Sequence, residues 1–158
     1  MKPSSFRLAP PAARWGAAAF CGIVLAPVAL AAPSAADPCK LVTVGELAQI
    51  VGPLKRAPKP GDIAAGDVSC EYAPVSGPEW IEIRLQEGPL SYWRSRNGGS
   101  RAVSLPELGK DAFATPDAEG SAELYVKKAD LVLRVSMPRA PTAIDTLKAI
   151  TRKALPRL

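Results

Sequence analysis

Apolar and polar positions along the chain fall into two alternating periods, separated by proline- and glycine-rich stretches. Thr43 followed by Glu46 forms a capping-box pair, and Leu47, Ile50 and Val51 continue with helical spacing up to Gly52 and Pro53. This predicts a helix over Val44–Val51, ended by a glycine suited to the left-handed position and a proline that cannot extend it. Val68, Cys70 and Tyr72 then alternate with Ser69, Glu71 and Ala73, the period of a strand. The plainest strand runs from Glu79 to Gln86, with Ile81, Ile83 and Leu85 on one face and Trp80, Glu82, Arg84 and Gln86 on the other. Pro89–Asn97 reads as a short helix ended by Gly98 and Gly99, with Leu90 spaced three and four residues from Trp93 and Arg94.

Val103 and Leu105 open a short strand, and Ala112–Ala114 follows a turn. Ala122–Lys128 and Leu131–Met137 are separated by Ala129 and Asp130 alone, which predicts a tight antiparallel hairpin. Thr142 with Asp145 opens a last helix whose buried side is Ile144, Leu147, Ile150 and Ala154 and whose wet side is Lys148, Arg152 and Lys153. Helices and strands in this order predict an α+β fold: a single, mostly antiparallel sheet with helices packed on one face. The expected core is Ile81, Ile83, Leu85, Leu124, Val126, Leu133 and Val135.

The first 36 residues follow a different plan. They hold Lys2, Arg7 and Arg14, no acidic residue, and a nearly all-apolar run from Trp15 to Ala32. A basic start, an apolar run and small residues at Ala29 and Ala31 make up an export signal. Cleavage is expected after Ala31 or after Ala36, leaving one domain over 37–158 in the periplasm or secreted, in contact with a membrane only through the signal before its removal. The competing reading is an uncleaved anchor, which the Ala-rich run, Pro27 and the absence of a basic stop-transfer cluster disfavour. The whole chain has 20 Lys plus Arg against 15 Asp plus Glu; without the three signal cations the balance is 17 against 15, so the net charge falls from +5 to +2. A surplus that small gives no basis for nucleic-acid binding.

Of three cysteines, Cys21 belongs to the signal, and Cys39 and Cys70 remain as a pair. In an oxidising compartment an even count reads as one structural disulfide, here joining the region before the first helix to the first long strand. The wide spacing is unlike that of a redox-active dithiol.

The chain has no histidine. That excludes Ser-His-Asp and Cys-His catalysis, a histidine general base and histidine-ligated zinc. No cofactor or metal motif is present, no catalytic residue is assigned, and no phosphate-cradling glycine loop or nucleophile elbow appears. Tyr92, Trp93, Arg94, Arg96 and Arg101 form the densest candidate binding cluster, because aromatic faces beside guanidinium groups suit an acidic protein, a glycan or a phosphate-bearing polymer. The plain alternative is ordinary surface with one aromatic packed inward. Trp80, on the polar side of its strand, is added to the patch as an interface anchor. Lys55, Arg56 and Lys59 lie in the loop Pro53–Asp67 and are either a solvated run or a lipid-headgroup contact.

The succession DPCKLVT, a helix, a strand with SCEY, LPELGKDAF, LYVKKADLVLRVS and a terminal helix resembles small exported α+β domains of bacterial envelopes, loosely of PsbP- and Mog1-like architecture. The resemblance implies a fold and an address and supplies no catalytic residue. Three roles follow as expectations. The first is a non-enzymatic binding or accessory domain for another envelope protein or an anionic surface polymer. The second is an inhibitor of a secreted hydrolase that presents the loop Pro53–Asp67. The third is a small hydrolase using carboxylates drawn from Glu71, Glu79 and Glu82.

Overall fold

Seven strands, β1 (Lys59–Pro60), β2 (Val68–Tyr72), β3 (Ile81–Glu87), β4 (Val103–Ser104), β5 (Phe113–Ala118), β6 (Ser121–Lys128) and β7 (Leu131–Pro138), form one sheet in the order β1-β2-β3-β7-β6-β5-β4. Every pairing is antiparallel. Four helices accompany it: α1 (Pro38–Leu41), α2 (Val44–Val51), α3 (Leu90–Asn97) and α4 (Ala143–Ala154). This is the expected α+β class. The structure is a computed structural model that describes residues 36–61 and 67–158. The segment expected to be an export signal, its candidate cleavage site after Ala31 and Cys21 lie outside the described residues, as does part of the loop Pro53–Asp67.

Helix α2 has the bounds read from the sequence because both ends are chemically marked. The Thr43 hydroxyl accepts from the Glu46 N–H (3.2 Å), while the Glu46 carboxylate accepts from the Thr43 N–H (3.0 Å). Gly52 follows at φ +85°, where a side chain would be strained. The Glu46 carboxylate also receives both amino groups of Arg157, each at 2.9 Å, so the chain end is clasped to the start of α2. The bonds from Arg157, then from the Thr43 N–H and hydroxyl, hold the Glu46 carboxyl well below its usual 4.5, at about 2.

The short α1, absent from the sequence reading, starts at Pro38 with the Asp37 side chain accepting from the Cys39 N–H (2.9 Å). Cys39 and Cys70 are joined, with their Cα atoms 5.1 Å apart and a sequence separation of 31, so α1 is stapled to β2. Closing a loop of this length stabilises the fold by about 3–4 kcal/mol on the chain-entropy model. Beside the staple, the buried Tyr72 hydroxyl lies 3.3 Å from the Val42 carbonyl and 3.5 Å from that of Pro38. Burial pushes its phenol up to about 12, so it remains a donor throughout the ordinary pH range.

Strand alternation sorts the sheet into two faces. On the first, Cys70, Ile83, Val135, Leu124 and Ala114 stand side by side across five strands, and α1, α2 and α4 cover them. All seven expected core residues are buried here. Leu47 from α2 and Leu147, Ile150 and Ala154 from α4 complete the layer. The register shift in β5 between Thr115 and Ala118 falls at Pro116, which has no N–H to give to a ladder. The last helix begins where Thr142 predicted, but the Thr142 side chain makes no capping bond; instead its carbonyl accepts from the Thr146 hydroxyl (3.1 Å).

The second face departs from the simple picture of a wet side. Helix α3 packs on it, and Leu90, Phe113, Tyr125 and Val132 form a second, smaller core with Trp93 and Ala102 against it. Three of the four helices therefore share one face, and the fourth covers part of the other. Gln86, expected on the polar side of β3, is 1% exposed.

Candidate functional site

The second face is built in cross-strand rows. One row runs Phe113, Tyr125, Arg134, Arg84, Ser69 and the next runs Thr115, Glu123, Ser136, Glu82, Glu71. Within these rows Glu123, almost fully buried, accepts from Arg134 and from the Tyr125 hydroxyl at 2.5 Å. Tyr125 in turn accepts from the Asn97 amide of α3 at 2.7 Å and stacks on Phe113 at 4.7 Å. Arg134 continues to Glu82 at 3.6 Å, and Glu82 to Arg84 at 2.8 Å. The result is a ladder of alternating charge across the middle of the sheet.

Burial, and after it the bond to Glu123, pushes the Tyr125 phenol far above its usual value, so its proton stays on the bond it donates. Burial alone disfavours the Arg134 charge, but Glu123 outweighs this and the guanidinium is held more firmly protonated than usual. A carboxylate this buried is tolerable only with such partners. Around the ladder, the Thr115 and Ser136 hydroxyls, Arg134 Nε, Gln86 Nε2 and Trp93 Nε1 are buried without a hydrogen-bond partner among the described residues. The polar chemistry of the buried interior is thus concentrated on this face.

Helix α3 is the cover. Leu90, Trp93, Arg94 and Asn97, at positions i, i+3, i+4 and i+7, turn toward the sheet. The Arg94 guanidinium lies 5.0 Å over the Phe113 ring and donates to Ser104 at 3.1 Å. At the far end Gly98 permits close approach: a Cβ there would sit 2.8 Å from the Ala102 methyl and 3.0 Å from the Thr115 methyl.

Two clefts flank this helix. One, of about 430 Å³, is lined by Trp93, Arg96, Asn97 and Arg101 with Ala118 and Glu119 above the Glu123–Arg134 pair. The other, of about 500 Å³, is lined by Arg94, Lys110 and Lys127 with Ser91, Ser104 and Asp111. Tyr92 lies 200° around the helix from Leu90, on the crest between the clefts; it is 49% exposed and edge-on to Trp93 at 5.0 Å. Among the described residues, none of Arg94, Arg96, Arg101, Lys110 and Lys127 has a carboxylate within salt-bridge distance. Lys40, Arg56, Arg84, Arg134, Arg139, Lys148 and Arg157 are paired, while Lys55, Lys59, Lys128, Arg152 and Lys153 also lack a carboxylate partner but lie on the 53–61 loop, the end of β6 and α4.

The fold thus gathers five residues of the expected patch, Tyr92, Trp93, Arg94, Arg96 and Arg101, on α3 and the 3₁₀ turn after it. Trp80 stands apart. It precedes β3, is half-buried and lines neither cleft. The sequence reading missed Lys110 and Lys127, which enter from the β4–β5 connection and β6, and it missed the buried ladder. Glu123 and Arg134 sit on alternating strands, where charge ordinarily signals solvent; only their cross-strand register puts them beneath a helix.

The carboxylates weighed for hydrolysis are arranged differently. Glu71 and Glu82 are directly paired across β2 and β3, but Glu71 is held by Arg56 at 2.5 Å and Glu82 by Arg84 and Arg134. Both are therefore paired with guanidinium groups. Glu79 lines a separate cleft with Ser76, Met137 and Thr146. Among the described residues, no group of three or more Cys, Asp or Glu side chains is placed to hold a metal ion.

No family model and no curated protein matches this chain. Among solved structures, the chain is similar to a GTP-binding regulator from Thermotoga maritima at 10% identity, covering 75% of this chain and 91% of that one with a TM-score of 0.40. A likeness that faint carries no argument here.

Proposed function

We propose that this chain is an exported, non-catalytic binding domain that engages an anionic partner through α3 and its flanking clefts. The observation that carries the reading is the gathering around one short helix of five of the ten cations that lack a carboxylate partner among the described residues, beside two aromatic rings. Arg and aromatic side chains on a rigid element are the groups that anchor interfaces. The support beneath them is firm: the Arg94–Phe113 contact, the Asn97–Tyr125 bond and the inward Leu90 and Trp93 fix α3 on the sheet. Rigid placement lowers the entropy lost when a partner binds. The disulfide suits the expected periplasmic or secreted address.

Elution of the mature domain from immobilised heparin, as a generic anionic probe, tests this reading. Arg96→Ala with Arg101→Ala is expected to lower the eluting salt concentration markedly. Lys55→Ala with Lys59→Ala, the same loss of charge in the distant loop, is expected to leave it nearly unchanged. Flow-through of the unmodified domain, or equal effects of the two pairs, contradicts the proposal.

A further inference from the structure

We infer that the anionic partner is an extended acidic glycan that crosses α3, setting negative groups in both clefts and a sugar ring against Tyr92. The inference rests on the binding role proposed above and adds the class of ligand and its path. Three features carry it. First, the cations lie on both flanks of one helix: Arg96 and Arg101 on one, Lys110 and Lys127 on the other. A helix with its side chains is about 10–12 Å across, so a single small anion cannot engage both flanks, whereas a chain of repeating anionic units can.

Second, the crest between the clefts is an aromatic ring rather than a charge. Tyr92 is half exposed and is braced edge-on by Trp93, which in turn packs into the second core. A fixed, amphipathic ring offers an apolar face for the C–H surface of a sugar and a hydroxyl for its rim. Third, each cleft mixes its cations with a carboxylate, Asp111 on one side and Glu119 on the other, and the Asp111 side adds hydroxyl groups, Ser91 and Ser104. Hydroxyl groups suit a ligand that carries hydroxyls as well as carboxylates or sulfates.

The experiment is a titration of the mature domain carrying Trp80→Phe, so that Trp93 alone reports by fluorescence, with oligogalacturonides of increasing length and with poly-glutamate matched in charge. Affinity for the oligogalacturonides is expected to rise by about tenfold or more once the chain spans the helix and then to level off, because the second cleft is engaged intramolecularly. Lys110→Ala with Lys127→Ala, and separately Arg96→Ala with Arg101→Ala, are each expected to abolish that gain with length while leaving weak binding of the short oligomers through the other cleft. Tyr92→Ala is expected to weaken the long glycan and not the polypeptide.

Length-independent binding, or a lysine pair without effect, overturns the path across α3 while leaving the binding role intact. Equal affinity for poly-glutamate overturns the glycan. Absence of any binding, with the heparin test also negative, removes both. Because all six substituted side chains are partly or fully exposed, folding of each variant can be checked by its unchanged thermal midpoint.

Discussion

Single residues carry consequences that the fold makes specific. Ala129, the first residue of the β6–β7 turn, is held at φ +53°, a left-handed conformation that costs a residue with a Cβ about 1–2 kcal/mol. Ala129→Gly is therefore expected to stabilise the domain, by about 0.5–1 kcal/mol after the added freedom of the unfolded chain is counted. Urea denaturation checks this, and a lower midpoint would contradict it. The hairpin itself was legible because only two residues separate two alternating runs; that alanine occupies a strained position there was not, since the pattern of neighbours does not report φ. Glu46 gives a pH dependence. Its folded carboxyl is depressed from 4.5 to about 2, so the Arg157–Thr43 clasp contributes fully above about pH 4.5 and is lost as pH falls toward 2. Glu46→Gln is expected to flatten the fall of stability with pH in that window, measured by thermal midpoints; an unchanged slope would mean that other carboxylates set it. Tyr125→Phe leaves Asn97 and Glu123 each short of a partner and is expected to cost about 1–3 kcal/mol.

Elements were legible in the sequence to the degree that their ends were marked chemically. Helix α2 lies between a capping box and a Gly-Pro pair, and its bounds agree with the structure residue for residue. Strand β3 begins two residues later than expected, because Glu79 and Trp80 precede its first paired residue. Strand β1 was missed altogether: it is two residues long, Lys59 and Pro60, and only its pairing with Cys70 and Glu71 makes it a strand. The disulfide was legible because removal of one cysteine left one pair. Its loss, in the Cys39→Ser, Cys70→Ser variant, is expected to lower unfolding free energy by about 3–4 kcal/mol. Helix α3 was foreseen as a helix but not as the lid of a second core, since a face of Leu, Trp, Arg and Asn does not read as an apolar stripe. Its closeness to β5 depends on Gly98, where an added methyl would meet Ala102 and Thr115 within 3.0 Å. Gly98→Ala is expected to cost about 1–3 kcal/mol through overpacking and to loosen the setting of Trp93, seen as weaker near-ultraviolet dichroism.

At the scale of the whole molecule, one face of the sheet supplies the main core and the other supplies chemistry. Ile, Leu and Val at alternate positions announced the first face; the second is polar in sequence, and α3 encloses its centre and leaves cations around the rim. Charge balance alone concealed this, because 17 cations against 15 anions in residues 37–158 is nearly neutral, while five of the ten cations without a carboxylate partner among the described residues lie around α3. No helix among the described residues is long and apolar enough to cross a membrane. If residues 1–36 act as an export signal, the intact mass of the protein recovered outside the inner membrane is expected to lack 31 or 36 residues, and a full-length mass there would contradict that expectation. The claim on which the functional account turns is that α3 is the contact surface. Hydrogen exchange of the mature domain, with and without a long oligogalacturonide, tests it most directly. The account predicts slowed exchange confined to residues 89–104 and the adjoining 109–111 and 127–129. Slowed exchange over the loop 53–61 or the β2 edge instead, with α3 unchanged, would contradict it.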